Sequence, residues 1–520
     1  MSKIVSFFEA ANMIKDGDTI TCCASAGMMI PEKMLASIEG CFLETGNPKN
    51  LTIFFPIAIG DRINLPGLDH LAHKGLIRRL IGGSYVLGRS DGTGNKIAQM
   101  ILNNEVEAYN LPLGTMMHML RDTAAKKPGT FTEVGLKTFV DPRQQGGKLN
   151  KITKENIVEV VDIDGKEFLR YKPIPINVAI IRATTADENG NLTFEHEPGT
   201  LGVLAQAMAA KNNGGKVIAQ VKRVTQKSTM NPHSVKVPGG LVDAIVLDPN
   251  QMQGTETLYN PWLSGEVKLP LNYFENIAFG ADKVVARRAV KEFKRGMTAI
   301  LGFGIPGSIP KIAIEEEFVD GINFIIEQGS WGGLPVGGLQ FGASANPQCI
   351  IDSPAQMDFI EGGGFDLACL SFGEVNGHGS VNVSKLGLLI PGCGGFINIV
   401  NNAPKIVFCG YFTAGGLQTE IKDGKIKIIK EGKYSKFTDN IEHITYSGEM
   451  MHLKQKDVIY ITERAVFKLV DQGLEIIEIA PGIDLKKDII EKISFPIKVA
   501  SNLSAMDSKL FKLGKIGFNF

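Results

Sequence analysis

Short apolar runs alternate with longer amphipathic segments along most of the 520-residue chain. Apolar runs of about four to eight residues are typical of buried strands, whereas apolar residues three or four apart are typical of helices that cover a sheet. The amphipathic segments include Gly202 to Ala210 and Ile309 to Phe318. Strands that alternate with such helices predict an α/β fold, and the length of the pattern predicts two similar open α/β domains.

An internal repeat relates the two halves of the chain. Ala179 and Ala368 lie in matching apolar strands, and the glycines of the polar turns that follow, Gly190 and Gly379, show the same separation of 189 residues. Three further identities at this separation are Asn212 with Asn401, Asn213 with Asn402 and Lys216 with Lys405. Five identities at one separation predict a duplicated unit.

The two units differ in length near their starts. Gly17 corresponds to Gly296 at a separation of 279 residues, so the first unit carries 90 residues more than the second before the repeat resumes. Part of the excess is the segment from Val158 to Lys172. Its residues alternate in character on both sides of Asp164-Gly165, as they do in a β-hairpin. We therefore expect a β-rich insertion in the first domain.

The boundary between the domains is expected near residues 282 to 296. The segment from Val284 to Phe293 has the pattern of a helix that leads into the second unit. The sequence thus predicts an N-terminal domain at 1–285 and a C-terminal domain at 290–520.

Composition and charge limit the kinds of molecule that the chain is expected to bind. A hydrophobic content of 44% over 520 residues is enough for at least two cores, and Lys plus Arg equals Asp plus Glu at 55 each. The chain therefore lacks the net basic field typical of nucleic-acid binding proteins. No apolar stretch has the length and continuity of a secretion signal or a membrane span. We expect a cytoplasmic protein with neither a nucleic-acid nor a membrane partner.

The cysteines predict neither disulfides nor a metal site. Their number is odd, and none is spaced as C-x-x-C or accompanied by a nearby pair of histidines. We expect reduced and mostly buried thiols, including Cys393, which lies in a glycine turn and is the one cysteine that invites a nucleophilic interpretation. The cysteines are Cys22, Cys23, Cys41, Cys349, Cys369, Cys393 and Cys409.

Glu327 is the residue with the clearest chemical signal. It follows the apolar segment Phe324 to Ile326 and stands two residues before Gly329, which opens a glycine-rich turn. A carboxylate in such a place costs free energy unless it is used or paired. Glu327 is therefore a candidate covalent nucleophile, although a helix-capping acid or an ion-pair partner would give the same pattern. Glu361 and Glu374 also adjoin glycine and are competing candidates.

Several glycine-rich motifs accompany Glu327, and together they cover nearly the whole chain. They are Glu327-Gln328-Gly329, the run from Gly337 to Pro347, Gly362 to Ala368, Gly392 to Phe396, Leu111 to Gly114 and Val134 to Arg143. This set resembles the family I CoA-transferases, and it is most similar to the single-chain acetate or propionate branch. The ketoacid branch usually has S-E-N-G where this chain has Ile326-Glu327-Gln328-Gly329, which weakens the case for acetoacetate or succinate as substrates.

The resemblance implies a CoA-transferase fold with the active site between the two domains. It implies that coenzyme A is a substrate and part of a covalent intermediate, and that no cofactor or metal is permanently bound. The partners implied are acyl-CoA and carboxylic acids, and the assembly is a homodimer or homotetramer. The residues implied to contact CoA are Gly302, Phe303, Gly304, Pro306, Gly342, Asn346 and Gly392.

A dinucleotide-binding interpretation competes for the same loop. Gly302, Gly304 and Gly307 form a G-x-G-x-x-G, and Glu327 stands twenty residues beyond, where a dinucleotide fold places its ribose-binding acid. This interpretation leaves the later glycine motifs unexplained, so we prefer the CoA site.

The chemistry open to Glu327 is transfer of an acyl group and of CoA. Attack on a thioester would give a mixed anhydride and CoA thiolate, and attack by the thiolate would give a glutamyl-CoA thioester. The backbone N–H groups of Gly394 and Gly395 are the expected oxyanion donors. A second donor is less clear, because Leu113 stands where relatives often carry Gln. Gln340, Asn346 or the main chain are the alternatives.

Three functions fit a CoA-ester site of this kind. A CoA-transferase would pass CoA from acetyl-, propionyl- or butyryl-CoA to a small carboxylate such as acetate, and an acyl-CoA hydrolase would use water instead. A non-catalytic sensor would only bind the ester. We expect the transferase, with Trp331 beside the nucleophile limiting the acyl group to short chains.

Overall fold

The computed structural model describes residues 3–22, 24–61, 64–85, 96–255, 257–471 and 473–518. Its α-helices are α1 (Phe7–Ala11), α2 (Glu32–Thr45), α3 (Lys96–Leu102), α4 (Leu113–Ala124), α5 (Val203–Asn212), α6 (Ala281–Val290), α7 (Ile309–Glu315), α8 (Ser353–Glu361), α9 (Phe396–Asn402) and α10 (Gly448–Leu453). Within these ranges, none of the helices combines the length and apolar character needed to cross a bilayer. Cys23 lies outside the described residues.

The first unit is built on a largely parallel sheet. Its strands are β1 (Thr19–Cys22), β2 (Leu51–Phe55), β3 (Ile77–Gly82), β4 (Glu107–Asn110), β5 (Thr130–Thr132), β6 (Val158–Ile163), β7 (Lys166–Tyr171), β8 (Val178–Asp187), β9 (Leu192–Thr193), β10 (Lys216–Thr225) and β11 (Ala244–Leu247). The main sheet has the order β11-β10-β8-β1-β2-β3-β4, and all its strands are parallel except the short β9, which pairs with β8.

The second unit repeats this arrangement and extends it. Its strands are β12 (Thr298–Leu301), β13 (Asn323–Ile325), β14 (Ser330–Trp331), β15 (Leu334–Pro335), β16 (Ser344–Ala345), β17 (Cys349–Ile350), β18 (Leu367–Ser371), β19 (Glu374–Val375), β20 (Val381–Asn382), β21 (Lys405–Cys409), β22 (Thr413–Ala414), β23 (Gln418–Lys422), β24 (Lys425–Lys430), β25 (Tyr434–Ser435), β26 (Asp457–Ile461), β27 (Ala465–Val470), β28 (Gly473–Ile479) and β29 (Lys498–Ala505). The main sheet has the order β17-β14-β13-β12-β18-β21-β26-β27-β28-β29. The predicted α/β class is confirmed.

The registers of the two sheets confirm the duplication. Strands β11-β10-β8-β1-β2 of the first sheet correspond in order to β26-β21-β18-β12-β13 of the second. Ile20 pairs with Val178 in the first sheet, and Ala299 pairs with Leu367 in the second. These residues are related by the separations of 279 and 189 residues found in the sequence. The two units therefore place equivalent loops at the carboxyl ends of equivalent strands.

The extra residues of the first unit are β-rich only in part. The hairpin around Asp164-Gly165 is present, with Ile163 paired to Lys166, and β5 joins it to make a three-stranded sheet. The first unit also contains α3 and β4 between β3 and this three-stranded sheet. The segment is therefore not made of β-structure alone.

Helix α6, which the sequence predicted to lead into the second unit, packs with that unit. Val284, Val285 and Val290 of α6 pack in the same core as Ala299 and Ile309 of the second unit. The helix is therefore a complete element of the second unit, and a first domain that ended at residue 285 would divide it. The limits of the two domains, 1–285 and 290–520, stay a prediction.

Candidate active site

A cavity of about 620 Å³ lies between the two units, where strands of both sheets end. The first unit contributes loops after β1, β2 and β3, and the second contributes loops after β12, β13 and β18. Most of the wall is apolar. Residues that line it include Ser25, Gly27, Ile57, Asp61, Ser84, Tyr85, Gly302, Phe303, Gly304, Glu327, Gln328, Phe372, Val383, Leu386, Gly392, Cys393, Gly394, Gly395 and Phe396.

Glu327 reaches this cavity from the end of β13. Ile325 and Ile326 are buried and fix the strand, whereas the side chain of Glu327 is half-buried and faces the cavity. Nε2 of Gln328 donates to Oε1 of Glu327 at 3.3 Å, and the backbone N–H of Gly395 also hydrogen-bonds to the carboxylate. A Cβ atom on Gly395 would lie 1.8 Å from Oε2 of Glu327, so a side chain there would displace the carboxylate.

The cavity changes the acidity of Glu327. Burial raises the pKa of the carboxyl from 4.5 to about 7, and the hydrogen bonds from Gln328 and Gly395 oppose the rise. The group is therefore substantially ionised at neutral pH while it stays poorly solvated. A poorly solvated carboxylate is a better nucleophile than one surrounded by water.

The other titratable groups in the described lining are Asp61, Tyr85 and Cys393. Oδ1 of Asp61 accepts the N–H groups of Asn64 and Leu65, so this acid orders its own loop. Burial and the nearby Glu327 raise the pKa of the Cys393 thiol well above its usual range. A thiol that stays protonated is a poor nucleophile, in agreement with the structural role expected for Cys393.

The expectation for Gly394 is corrected by its hydrogen bonds. Its N–H donates to the carbonyl of Gly83 at 2.8 Å, and its carbonyl accepts the N–H of Leu113 at 2.9 Å. An N–H group held in this way is not available to an oxyanion. Of the two amides expected to act as donors, the one that points at the carboxylate is that of Gly395.

The loop after β12 reaches the cavity as expected for three of its four predicted residues. Gly302, Phe303 and Gly304 line the wall, and the Phe303 side chain is 51% exposed. Pro306 is buried and belongs to the lining of neither this cavity nor the neighbouring one described below, so its role is to shape the loop. Pro306 lies in the first turn of the 3₁₀ helix Ile305–Ser308, where the fixed φ of proline suits the start of a helix.

Of the remaining residues predicted to contact CoA, one lines the cavity and two do not. Gly392 is in the wall. Gly342 is outside it, and a Cβ there would lie 2.3 Å from Oγ of Ser25 and 3.0 Å from Cδ of Gln328. The side chain of Asn346 is hydrogen-bonded to the backbone of Leu269. It accepts the N–H of Leu269 at 2.7 Å and donates to the carbonyl of Leu269 at 2.8 Å. Asn346 therefore fastens the interdomain linker to the second unit.

The proposed substitutes for a second oxyanion donor do not reach Glu327. Gln340 lines a different cavity, Asn346 is bound to the linker, and Leu113 is buried with no polar group. The side-chain amide beside the carboxylate is that of Gln328, which the sequence reasoning passed over. Its adjacency to Glu327 in the sequence was the available signal.

The alternative acids and Trp331 are structural. Glu361 accepts from Nδ2 of Asn398 at 2.6 Å, and Glu374 accepts from Nδ2 of Asn382 at 2.8 Å. Neither acid is part of the cavity lining. Trp331 is not part of the described lining either: its ring lies tilted against that of Phe359 at 4.7 Å, and its Nε1 donates to Gln356. Trp331 pairs with Ile325 on an antiparallel strand, so the chain has turned back from the strand end that carries Glu327.

A second cavity of about 610 Å³ adjoins the first. The two share Phe303, Gly304, Gly338 and Phe341, and the two phenyl rings meet edge to face at 5.6 Å. Lys311 of α7 lies in the wall of the second cavity. In the part of the chain that the structure describes, no group of three or more His, Cys, Asp or Glu side chains is arranged to hold a metal ion.

The raised pKa of Glu327 predicts a pH-dependent cost in stability. Below pH 4.5 the carboxyl is neutral in both states, but between pH 4.5 and about 7 the unfolded chain ionises first, so stability falls as pH rises. We expect Glu327→Gln to stabilise the fold by about 1–3 kcal/mol at pH 8 and to have almost no effect at pH 4. Denaturant unfolding at both pH values measures this.

The control for this prediction is Glu491→Gln, because Glu491 is exposed on the surface of the second unit. Equal effects of the two substitutions at pH 8 would show that Glu327 carries no special penalty.

Comparison with known proteins places this site in a family. A family model described as coenzyme A transferase matches residues 5–248. The chain is 41% identical to acetate CoA-transferase YdiF of Escherichia coli strain K12, over 99% of this chain and 96% of the relative. It is 40% identical to caffeate CoA-transferase of Acetobacterium woodii, over 98% of each chain.

Solved structures give the same result. The crystal structure of the acyl-CoA transferase YdiF of Escherichia coli O157:H7, in a thioester complex with CoA, covers 100% of this chain and 98% of its own with a TM-score of 0.93 and 40% identity. The apoenzyme of the same protein gives a TM-score of 0.94. The similarity extends over both units and the cavity between them. The chain therefore belongs to the coenzyme A transferase family, and it is a CoA-transferase.

Proposed function

We propose that this enzyme moves CoA from a short-chain acyl-CoA to a small monocarboxylate such as acetate, through a glutamyl-CoA thioester on Glu327. The observation that carries the proposal is the placement of the Glu327 carboxylate in an apolar cavity, hydrogen-bonded to the N–H of Gly395. The structure of the 40% identical YdiF is a thioester complex with CoA, which supports a covalent route.

Each half-reaction consists of two acyl transfers. The Glu327 carboxylate attacks the thioester carbonyl of acyl-CoA, the C–S bond breaks, and a mixed anhydride and CoA thiolate form. The thiolate then attacks the glutamyl carbonyl, which releases the free acid and leaves the glutamyl-CoA thioester. A second acid reverses these steps. No proton has to be transferred, because carboxylates and thiolate serve as the nucleophiles and leaving groups.

The N–H of Gly395 acts on the charge that develops in these steps. Each attack makes a tetrahedral oxyanion at or next to the Glu327 carboxyl, within reach of the group that now binds the carboxylate. Gln328 supplies a second N–H from its side chain at 3.3 Å in the resting site. The apolar wall keeps water away from the thioester, which favours transfer over hydrolysis.

The two adjoining cavities fit the two ends of acyl-CoA. The first contains Glu327 and accepts the acyl group and the reactive sulfur. The pantetheine arm passes Phe303 and Gly304, which belong to both walls, and the nucleotide occupies the second cavity, where Lys311 faces its phosphates. This arrangement keeps the expected CoA contacts of Gly302, Phe303 and Gly304.

The lining of the first cavity favours monocarboxylic acids. Its described residues include the acids Asp61 and Glu327 but no Lys, Arg or His. A second carboxylate on the substrate would enter an apolar, acid-bearing space without a cation to pair with. The choice of acetyl to butyryl groups rests on similarity to acetate CoA-transferase YdiF, since Trp331 does not shape the cavity. A cytoplasmic location and a homodimer or homotetramer also remain proposals.

The first experiment tests the covalent intermediate. After brief exposure to acetyl-CoA without an acceptor acid, we expect the intact mass of the enzyme to increase by one CoA less water. Glu327→Gln should show no adduct, because an amide does not attack a thioester. Added acetate should discharge the adduct and form acetyl-CoA again.

Other outcomes of this measurement are equally informative. An adduct on Glu327→Gln would place the nucleophile elsewhere. Rapid loss of the adduct without acetate, with free CoA released, would identify the hydrolase.

Substitution of two neighbouring glycines tests which of them the Glu327 carboxylate needs beside it. We expect Gly395→Ala to slow adduct formation more than a hundredfold, because the new Cβ would lie 1.8 Å from Oε2 of Glu327 and displace it. Gly394→Ala meets no atom within 4 Å and only carries the strain of φ +51, about 1 kcal/mol. It should therefore lose much less activity in the same stopped-flow assay. Equal losses would contradict the assignment to Gly395.

Substitution of Lys311 tests the path of the nucleotide. We expect Lys311→Ala to raise the KM for acetyl-CoA about fivefold to tenfold, and to leave turnover of acetyl-pantetheine, which has no phosphate, within twofold. Lys427→Ala, at an exposed position of the β23–β24 hairpin, is the matched control. A KM change shared by both thioesters would place the nucleotide outside the second cavity.

A further inference from the structure

The turn from Gly392 to Gly395 is held to a large extent by the opposite unit. Besides the two hydrogen bonds of Gly394, the N–H of Cys393 donates to Oδ1 of Asn110 at 2.9 Å. Glu327 and Gly395 both belong to the second unit, whereas Asn110, Gly83 and Leu113 belong to the first. The contact between nucleophile and oxyanion donor therefore depends on groups from across the domain interface.

Asn110 uses both ends of its amide to make this connection. The residue ends β4 and is completely buried. While Oδ1 accepts from Cys393, Nδ2 donates to the carbonyls of Gly82 at 3.0 Å and Gly83 at 2.7 Å. Gly83 is also the acceptor for Gly394. One buried side chain thus fixes both the turn and the strand end against which the turn rests.

Asn398 makes a second connection from the other side of the interface. It lies in the first turn of α9, which begins just after Gly395, and it is completely buried. Its Oδ1 accepts the N–H of Gly114 at 3.0 Å, and its Nδ2 donates to Oγ1 of Thr115 at 3.2 Å and to Glu361. The start of α4 and the start of α9 are therefore joined through one amide.

The backbones of the two units approach closely around these two amides. A Cβ on Gly392 would lie 2.8 Å from Cα of Ser84, and one on Gly114 would lie 2.8 Å from Nδ2 of Asn398. A Cβ on Gly83 would lie 2.1 Å from the carbonyl oxygen of Pro56. Distances this short mean that a side chain at any of these three positions would clash with its neighbours.

We propose that Asn110 and Asn398 are positioning residues that align the Gly395 N–H with the Glu327 carboxyl across the domain interface. The inference rests on the proposed roles of Glu327 and Gly395. Neither amide is in the cavity lining, and both act through the turn. The first unit thereby takes part in the chemistry of a nucleophile that it does not carry.

A structural role and a positioning role differ in what a substitution changes. An amide that only supports the fold affects stability and the amount of active protein. An amide that aligns Gly395 also affects the rate of the chemical step and the ionisation of Glu327, because the Gly395 N–H stabilises the ionised carboxyl. Substrate binding should be nearly unchanged in either case, since Asn110 and Asn398 do not touch the cavity.

The test compares Asn110→Ala with Asn150→Ala. Asn150 is a matched control in the same unit, since its Nδ2 donates to two carbonyls, those of Ile101 and Val106, and its Oδ1 accepts from Thr153. We expect both variants to lower the melting temperature. Only Asn110→Ala should slow glutamyl-CoA formation, about tenfold to a hundredfold with a KM for acetyl-CoA within threefold of wild type. Its acidic pH–rate limb should also move to higher pH.

Wild-type rates and adduct formation are recorded in the same series. Absence of an adduct on wild type would refute the proposed function itself. A wild-type adduct together with equal, small rate effects in the Asn110 and Asn150 variants would refute only the positioning role. If Asn110→Ala does not fold, Asn398→Ser serves in its place, compared on rate and KM alone because Asn398 also contacts the titratable Glu361. An unchanged rate in that variant would overturn the inference.

Discussion

The structure depends on one close contact, that of a poorly solvated carboxylate with a glycine that has no room for a side chain. Glu327 sits where burial raises its pKa to about 7, and Gly395 approaches so closely that a Cβ atom would collide with the carboxylate. An ion kept out of water needs such fixed dipoles to stay charged. This contact depends on three parts of the fold. They are the strand that ends before Glu327, the turn that contains Gly395 and the domain interface that holds the turn.

Duplication explains how one chain brings these parts together. Equivalent strands of the two sheets end at the same cavity, so both units contribute loops to its wall. The registers pair Ile20 with Ile53 and Ala299 with Phe324, which makes Pro56 the counterpart of Glu327. The two units have the same strand order but contribute different groups to the cavity. The second carries the reacting groups, and the first supplies a wall and the backbone acceptors that hold the glycine turn.

The sequence predicted the features that depend on local pattern. The repeat, the hairpin around Asp164-Gly165 and the strand before Glu327 follow from periodicity and turn residues. It did not predict the hydrogen bonds of Gly394 or the linker contact of Asn346. These depend on partners distant in the chain, such as Gly83 and Leu269. No local pattern identifies such partners, so the sequence indicates the position of Glu327 at a strand end but not the groups that surround it.

The proline at position 56 has a consequence for how this chain is free to vary. The strand end that corresponds to that of Glu327 has no ionisable group at this position, and its carbonyl oxygen packs against Gly83. The pseudo-symmetry thus relates a carboxylate in one unit to a proline in the other. Substitutions near Pro56 would therefore alter the fit between the units, whereas substitutions near Glu327 would also alter the charge in the cavity.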